Sequence, residues 1–442
     1  MADGTLRICM VSTFYPPYNF GGDGIYAHRL ANALARRGHR VTVIHSASAY
    51  ELLAGAAPAE PYDDHPGVTV RALRTPLGML GLLAVQQTGR AMLQAPALSR
   101  WLDGAFDVMH YNNVSLLGGV EAFRYGGGLK LATLTDHWLV CPMHTLWKFD
   151  REVCTRPTCY RCTLAGGRPP QLWRDGAVAR PATATVDAFL GPSLFAIRQH
   201  RTRGLDGMFV HLPQFAPSDA GEAQIEGSRP QRPYLLYAGR LERLKGVHLA
   251  ISALRSRPDI DLVIAGTGSM EAELRRAAGD APNVRFVGRV PAAELSRLYR
   301  GARATIVPSL CYETFGLVVA ESFAAGTPVI VHALGALEEI VRTHGGGLAY
   351  RDAEDLQRAI DQLGDGALRR RLAQEAVAAF EREFSESVHI ERYLALVREM
   401  LAKKRAGEPL ARPASAGEES LIAGRPVCVG SGQTPRRQAP AG

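Results

Sequence analysis

At 442 residues the chain is too long for one ordinary domain and suits two. An apolar fraction of 46% and a formal net charge of +8 describe a globular protein with a moderately basic surface, suited to anionic partners such as nucleotide diphosphates, phospholipid headgroups or nucleic acid. No apolar run of about 18 residues occurs, which argues against a membrane-spanning helix, and no secretory leader is evident, so a cytoplasmic location is expected.

Residues 6–12 read as a strand, followed by a loop rich in Pro and Gly at 13–24 and a helix at 25–37. Ala27, Leu30, Ala31, Leu34 and Ala35 fall on one face of that helix. Gly38 stops it, and a strand at 41–45 completes a β-α-β unit, which implies a parallel sheet. Further strands are predicted at 68–73, 108–111, 130–135 and 188–191. Residues 78–92 are apolar and predict a helix with two readings: packed in the core or between domains, or presented to a hydrophobic acceptor or a membrane.

Residues 213–233 are rich in Pro, Gly, Ser and Ala and mark a domain boundary. A second series then begins. Strands are predicted at 234–238, 261–265, 284–287, 304–307 and 329–331, with helices at 247–255, 270–278, 292–300 and 316–325 between them. Residues 352–404 read as helices, and 407–442, rich in Pro, Gly, Ala and Ser, as a disordered tail. The fold class is therefore α/β with two doubly wound, Rossmann-like sheets.

Three motifs carry chemistry. Gly21-Gly22-Asp23-Gly24 lies between the first strand and the first helix, where glycines let the backbone approach a ligand and a helix N-terminus favours anions. Its plainer reading is a tight turn. Gly239-Arg240-Leu241 with Lys245-Gly246 follows the strand that opens the second domain, so Arg240 and Lys245 stand at the carboxyl end of a parallel strand, where such sheets bind ligands. Two cations there suit a diphosphate and the charge that grows on it as it leaves; alone, they also read as surface cations in a loop. The third motif spans residues 308–321. Glu313 is placed before a helix and Glu321 within it, both suited to accept hydrogen bonds from sugar or ribose hydroxyls, while backbone N–H groups of Thr314, Phe315, Gly316 and Leu317 suit a phosphate. An exposed Glu321 would be out of keeping with Val318, Val319, Ala320 and Phe323 around it.

In this order the motifs resemble those of the retaining glycosyltransferases called family four, which include bacterial glycogen synthase. The resemblance covers nearly the whole chain, from Arg7 to Leu401, with supporting matches at Gly38-His39, Ala265-Gly266-Thr267-Gly268, Phe286-Val287-Gly288 and Gly335 to Glu339. It implies the GT-B architecture, two Rossmann-like domains facing across a cleft. Its domains would be 1–215 on the acceptor side, 216–385 binding the nucleotide-sugar donor, a helix at 386–405 packing back on the first domain, and the tail 406–442. It implies that Arg240 and Lys245 bind the donor diphosphate, Glu313 lies near the donor sugar and Glu321 binds the ribose. Gly21, Gly22, Gly239, Gly266 and Gly268 would complete the donor site. The family often has His before Asp at the strand end of the first domain. Here the order is Thr135-Asp136-His137-Trp138, and His137 is taken as the residue near the sugar.

The run from Asp136 to Pro142 looks like a branch of the family with a Cys-rich insertion. Cys141, Cys154, Cys159 and Cys162 are read either as a structural zinc site or as unligated or redox thiols. No cofactor is expected for catalysis, because Arg240 and Lys245 do the electrostatic work that a divalent ion does elsewhere; the expected partners are a nucleotide-sugar donor and a saccharide or lipid-linked acceptor, with peripheral contact at the inner face of a membrane suggested by the apolar segment 78–92. Nucleic acid is not an expected partner, since no zinc-finger helix or aromatic-interleaved basic stripe is present. A nucleotide-sugar epimerase of the same architecture and a catalytically silent nucleotide-sugar-binding subunit are the alternatives.

Overall fold

The computed structural model describes residues 4–58, 62–218, 232–410 and 427–429. Among the described residues the strands of the first half are β1 (Arg7–Val11), β2 (Arg40–Ser46), β3 (Val68–Leu73), β4 (Val108–Tyr111), β5 (Leu129–Thr133), β6 (Trp147–Lys148), β7 (Glu152–Val153), β8 (Ala188–Gly191) and β9 (Phe209–His211). The second half contributes β10 (Tyr234–Ala238), β11 (Asp261–Ala265), β12 (Val284–Gly288), β13 (Ala304–Val307), β14 (Val329–His332) and β15 (Gly347–Tyr350), and β16 (Val427–Val429) follows near the end of the chain.

Two large sheets result. The first has the order β16-β9-β8-β5-β4-β1-β2-β3 and the second β12-β11-β10-β13-β14-β15; β6 and β7 form a small hairpin. Every pairing in the two large sheets is parallel except that of β16, which runs antiparallel to β9. The central strands are fully buried runs such as Val-Met-His-Tyr in β4 and Tyr-Leu-Leu-Tyr-Ala in β10, as expected for parallel sheets covered on both faces. In each sheet the strand order reverses beside the first strand, between β1 and β4 and between β10 and β13. Such reversal points leave a crevice at the carboxyl ends of the strands.

Several elements lay outside the sequence reading. Helices Ala47–Ala54 and Leu194–Thr202 are each announced by a serine: Ser46 and Ser193 accept from the N–H groups of Ala49 and Ala196. Strands β9 and β15, of three and four residues, are too short to show a period. Of the tail read as disordered, β16 is a strand paired with β9; residues 411–426 and 430–442 lie outside the described residues.

The C-terminal helix Glu386–Arg405 packs on the first domain. Ile390, Tyr393, Val397 and Met400 share a core with Ile8, Met10, Leu30, Leu34 and Leu131. The Tyr393 hydroxyl lies 3.0 Å from His110 Nδ1, and Lys404 Nζ lies 2.6 Å from Asp187 Oδ2. Where the chain passes between domains, Ala216 and Ser385 form a parallel bridge, and the Ala216 N–H donates to the Phe384 carbonyl at 3.0 Å.

Candidate active site between the two sheets

Both reversal points carry the polar residues singled out above. The turn after β10 holds Arg240 and, one short 3₁₀ turn later, Lys245. Glu313 follows β13, just ahead of helix Leu317–Ala324. Lys245 Nζ lies 2.6 Å from Glu313 Oε1, and the Ser309 hydroxyl donates to the same oxygen at 2.7 Å. Burial disfavours both charges, yet each outweighs it for the other: the Glu313 carboxyl is held below its usual range by Lys245, Ser309 and Arg240, and the Lys245 ammonium above its own by Glu313. The pair is therefore charged at neutral pH. Arg240 is more open, its guanidinium 2.7 Å from Glu242.

The first domain faces these groups with its glycine loop. A methyl added at Gly21 would lie 3.8 Å from Arg240 Nε, and one at Gly22 would lie 3.0 Å from Leu317 Cδ1. Helices Gly22–Arg36 and Leu317–Ala324 thus present their N-termini to each other beside Arg240. The two helix starts, at the first of which the Asp23 carboxylate meets the Gly24 N–H, and the two cations make this the anion-seeking part of the cleft. The Phe315 ring is buried against Phe384, which leaves only its backbone to face the cleft. The Thr314 hydroxyl is occupied across the cleft by the Thr135 carbonyl at 2.8 Å.

Glu321 has both oxygens engaged. Arg29 Nη2, from the first domain, lies 2.6 Å from Oε1, and the Tyr299 hydroxyl donates to Oε2 at 3.0 Å. Sequence alone did not point to Arg29 or Tyr299. Other contacts also cross between the domains. The Ser193 hydroxyl donates to the Thr314 carbonyl at 2.7 Å, and Glu339 accepts from the Leu194 and Phe195 N–H groups at 2.8 and 2.7 Å, capping helix Leu194–Thr202 from the opposite domain.

The glycines after β11 have a structural role that spacing does not reveal. At Gly266, φ is +143°, and a methyl there would sit 1.9 Å from the Gly239 carbonyl oxygen; one at Gly268 would sit 2.5 Å from that of Leu241. These two positions let the strand-end turns carrying Arg240 lie against each other. Gly266→Ala is accordingly expected to lower stability by about 2 kcal/mol through overpacking and backbone strain. Urea unfolding would measure the loss, and an unchanged midpoint would show that the turns can separate.

His137 meets the third motif beside Glu313. It is 1% exposed, its Nε2 lies 3.3 Å from the Tyr312 carbonyl oxygen, and its ring stacks on His200 at 5.2 Å. Burial and the neighbouring His200 push its pKa well below the usual value, so it stays neutral. The accessible pair nearby is Asp136 with His144: Asp136 Oδ2 is 3.1 Å from His144 Nδ1 and accepts from Asn113 at 2.6 Å. Asp23 joins this group. Burial first, and then the Asp136 carboxylate, raise its pKa, with Arg240 acting in the opposite direction.

The four insertion cysteines supply suitable donors for zinc but are not arranged as a site. Among the described residues no group of three or more His, Cys, Asp or Glu side chains could hold a metal ion. Cys141 and Cys154 instead pack with Leu146 beside Met143 and Tyr312; Cys162 is buried and Cys159 exposed. Burial raises the thiols of Cys141, Cys154 and Cys159. A cavity of about 410 Å³ lined by Arg37, His39, Glu391 and Arg398 lies elsewhere, at the amino ends of the strands of the first sheet.

Comparison with known proteins agrees with this layout. Residues 220–378 match the family described as Glycosyl transferases group 1, and residues 21–213 a Glycosyl transferase 4-like domain. The chain is 31% identical over 441 residues to the D-inositol 3-phosphate glycosyltransferase of Acidothermus cellulolyticus, covering 90% of this chain and 91% of that one. Among solved structures, sucrose-phosphate synthase from Thermosynechococcus elongatus superposes with a TM-score of 0.67 at 23% identity, over 90% of this chain and 99% of that one. Anabaena HepE, solved in complex with UDP-glucose, gives 0.60 at 15%, over 91% and 100%.

Proposed function

Because the chain belongs to the group 1 glycosyltransferases and has the GT-B fold, we propose that it moves a sugar, with retention of anomeric configuration, from a nucleotide-diphosphate sugar to a saccharide, lipid-linked saccharide or other hydroxyl acceptor in envelope polysaccharide or glycoconjugate synthesis. The observation that carries this reading is the convergence of Arg240, the Lys245–Glu313 pair and two helix N-termini at the reversal point of the second sheet. In this reading the diphosphate lies among the cations, the ribose meets Glu321, and the transferred sugar lies between Glu313 and the Asp136–His144 side of the first domain.

The acceptor hydroxyl attacks the anomeric carbon on the face from which the diphosphate departs. A new C–O bond forms, the bond to the diphosphate oxygen breaks, and the acceptor's proton passes to the departing phosphate. Arg240 and Lys245 stabilise the charge left there. The reading assigns no divalent ion to the diphosphate. The Asp-x-Asp of the sequence, Asp259-Ile260-Asp261, stands at the amino end of β11, with Asp259 paired to Arg257 at 3.0 Å, and Asp64 of the Asp63-Asp64 pair is occupied by the Tyr15 hydroxyl at 2.5 Å and Asn32 at 3.0 Å.

A panel of nucleotide-sugars tested for thermal stabilisation of the purified protein, and then for release of nucleoside diphosphate with saccharide or lipid extracts as acceptor, examines the reading. The expected result is stabilisation by one donor class and acceptor-dependent release that persists in excess chelator. If no nucleotide-sugar binds, the reading is wrong. Loss of release in chelator, with recovery on adding magnesium or manganese, would overturn the cation-only scheme while leaving donor use intact.

A further inference from the structure

The apolar helix of the first domain, Gly78–Thr88, buries only part of its surface. Gly81, Leu82 and Val85 face inward. Leu77 and Leu80 are each 70% exposed, Leu83 is also exposed, and Met92 and Leu93 protrude from the adjoining turn, against which the helix packs. Leu172, 67% exposed, stands on a second turn packed against the same helix, where the Trp173 indole N–H donates to the Gln86 carbonyl at 2.9 Å. Single exposed leucines are ordinary, but a contiguous group of them on one element is a docking surface. Leu77 and Met92 also hold φ at +60° and +48°, a left-handed conformation that disfavours side chains other than glycine, and in it both side chains face outward.

Charge around this face selects the partner. Residues 65–102 contain no Asp or Glu and four arginines, Arg71, Arg74, Arg90 and Arg100, all exposed. Two carboxylates reach in from outside the segment: Glu51 pairs with Arg74 at 2.8 Å, and Glu121 accepts from the Ala91 N–H at 2.7 Å. Residues 154–174, which lead to Leu172, are likewise free of acids and carry exposed Arg156, Arg161 and Arg168 with exposed Tyr160 and Leu164. Apolar side chains rimmed by arginines and poor in acids match an anionic lipid surface, where insertion and charge attraction add. No helix among the described residues is long and apolar enough to cross a membrane, so such contact would be peripheral. The face is also tied to the cleft: Arg174 donates to the Trp138 carbonyl, and the Trp138 N–H donates to Asp136 Oδ1.

We infer that this face, centred on Leu77 and Leu80, docks the first domain on an anionic phospholipid bilayer and sets the acceptor side of the cleft beside it. The inference deepens the proposed function by choosing an acceptor that is delivered at a lipid surface, but its test reads binding without donor or acceptor. The full-length protein is sedimented with vesicles of phosphatidylcholine alone, or with one-third phosphatidylglycerol. It is expected to pellet with the anionic vesicles only and to be released by salt. Leu77→Ser/Leu80→Ser should weaken vesicle binding at least about tenfold with an unchanged melting temperature and unchanged stabilisation by nucleotide-sugar. Wild-type protein left in the supernatant at low salt, or a double variant that pellets as wild type does, would overturn the inference. So would a concentration-dependent dimer that the double variant abolishes, since the face would then be covered by a second copy. Failure of vesicle binding alongside intact transfer to a soluble acceptor would leave the proposed function standing.

Discussion

Lys245→Ala is expected to lower turnover about a hundredfold at saturating donor and acceptor, the scale of removing one preorganised group that meets developing charge. The ammonium lies 2.6 Å from Glu313 in a setting where each side chain is 20% exposed, so little water is available to replace it. The same geometry also allows Lys245 merely to neutralise a buried carboxylate, and a double variant separates the two roles. If neutralising Glu313 were its whole contribution, Lys245→Ala/Glu313→Ala would be no slower than Glu313→Ala alone. If Lys245 meets the departing diphosphate, the double variant is much slower than Glu313→Ala. Arg240→Ala should fall similarly, since its guanidinium faces the Gly21 loop across the cleft. Wild-type turnover in both single variants would remove the assignment.

Glu321→Ala is expected to raise the KM for donor about tenfold or more while changing kcat little, the pattern of binding lost equally from ground and transition states. A hydrogen bond to a charged group contributes roughly 1.5–3 kcal/mol, and in the proposed site the ribose hydroxyls bond to this carboxylate. The substitution also leaves the Arg29 guanidinium without the partner it reaches from the other domain at 2.6 Å. Initial rates across donor concentrations provide the measurement, and an unchanged KM would mean that Glu321 holds the domains together and does nothing for the donor.

The second domain was the more legible half. Its strands are short, largely apolar runs separated by helices of ordinary length, and Arg240, Lys245 and Glu313 follow β10 and β13 within a few residues, so a local pattern was enough to bring them to one reversal point. What escaped was set by pairing across the molecule. Arg29 sits on the second turn of a helix whose pattern is that of packing, and nothing near it in sequence announces Glu321, 292 residues away. His137 is singled out by the resemblance, which places a histidine next to the aspartate at this strand end. Its burial against His200 and Tyr312 arises from helix Leu194–Thr202 and the third motif, neither of which its own neighbours specify. His144, eight residues on from Asp136, reaches it only because the insertion folds back, and no period in the sequence encodes that return.

The bridge between Ala216 and Ser385 has a mechanical consequence. The polypeptide passes from one domain toward the other near Ala216 and returns near Ser385, and the two passages lie side by side, joined by a backbone hydrogen bond. Two adjacent threads form a pivot, and small torsional changes there are magnified with distance from it. In the proposed reaction a substitution at this crossing would act on how far the two domains part, without touching sugar, nucleotide or acceptor. Stiffening or loosening this crossing would alter how fast product escapes while leaving the chemical step as it is.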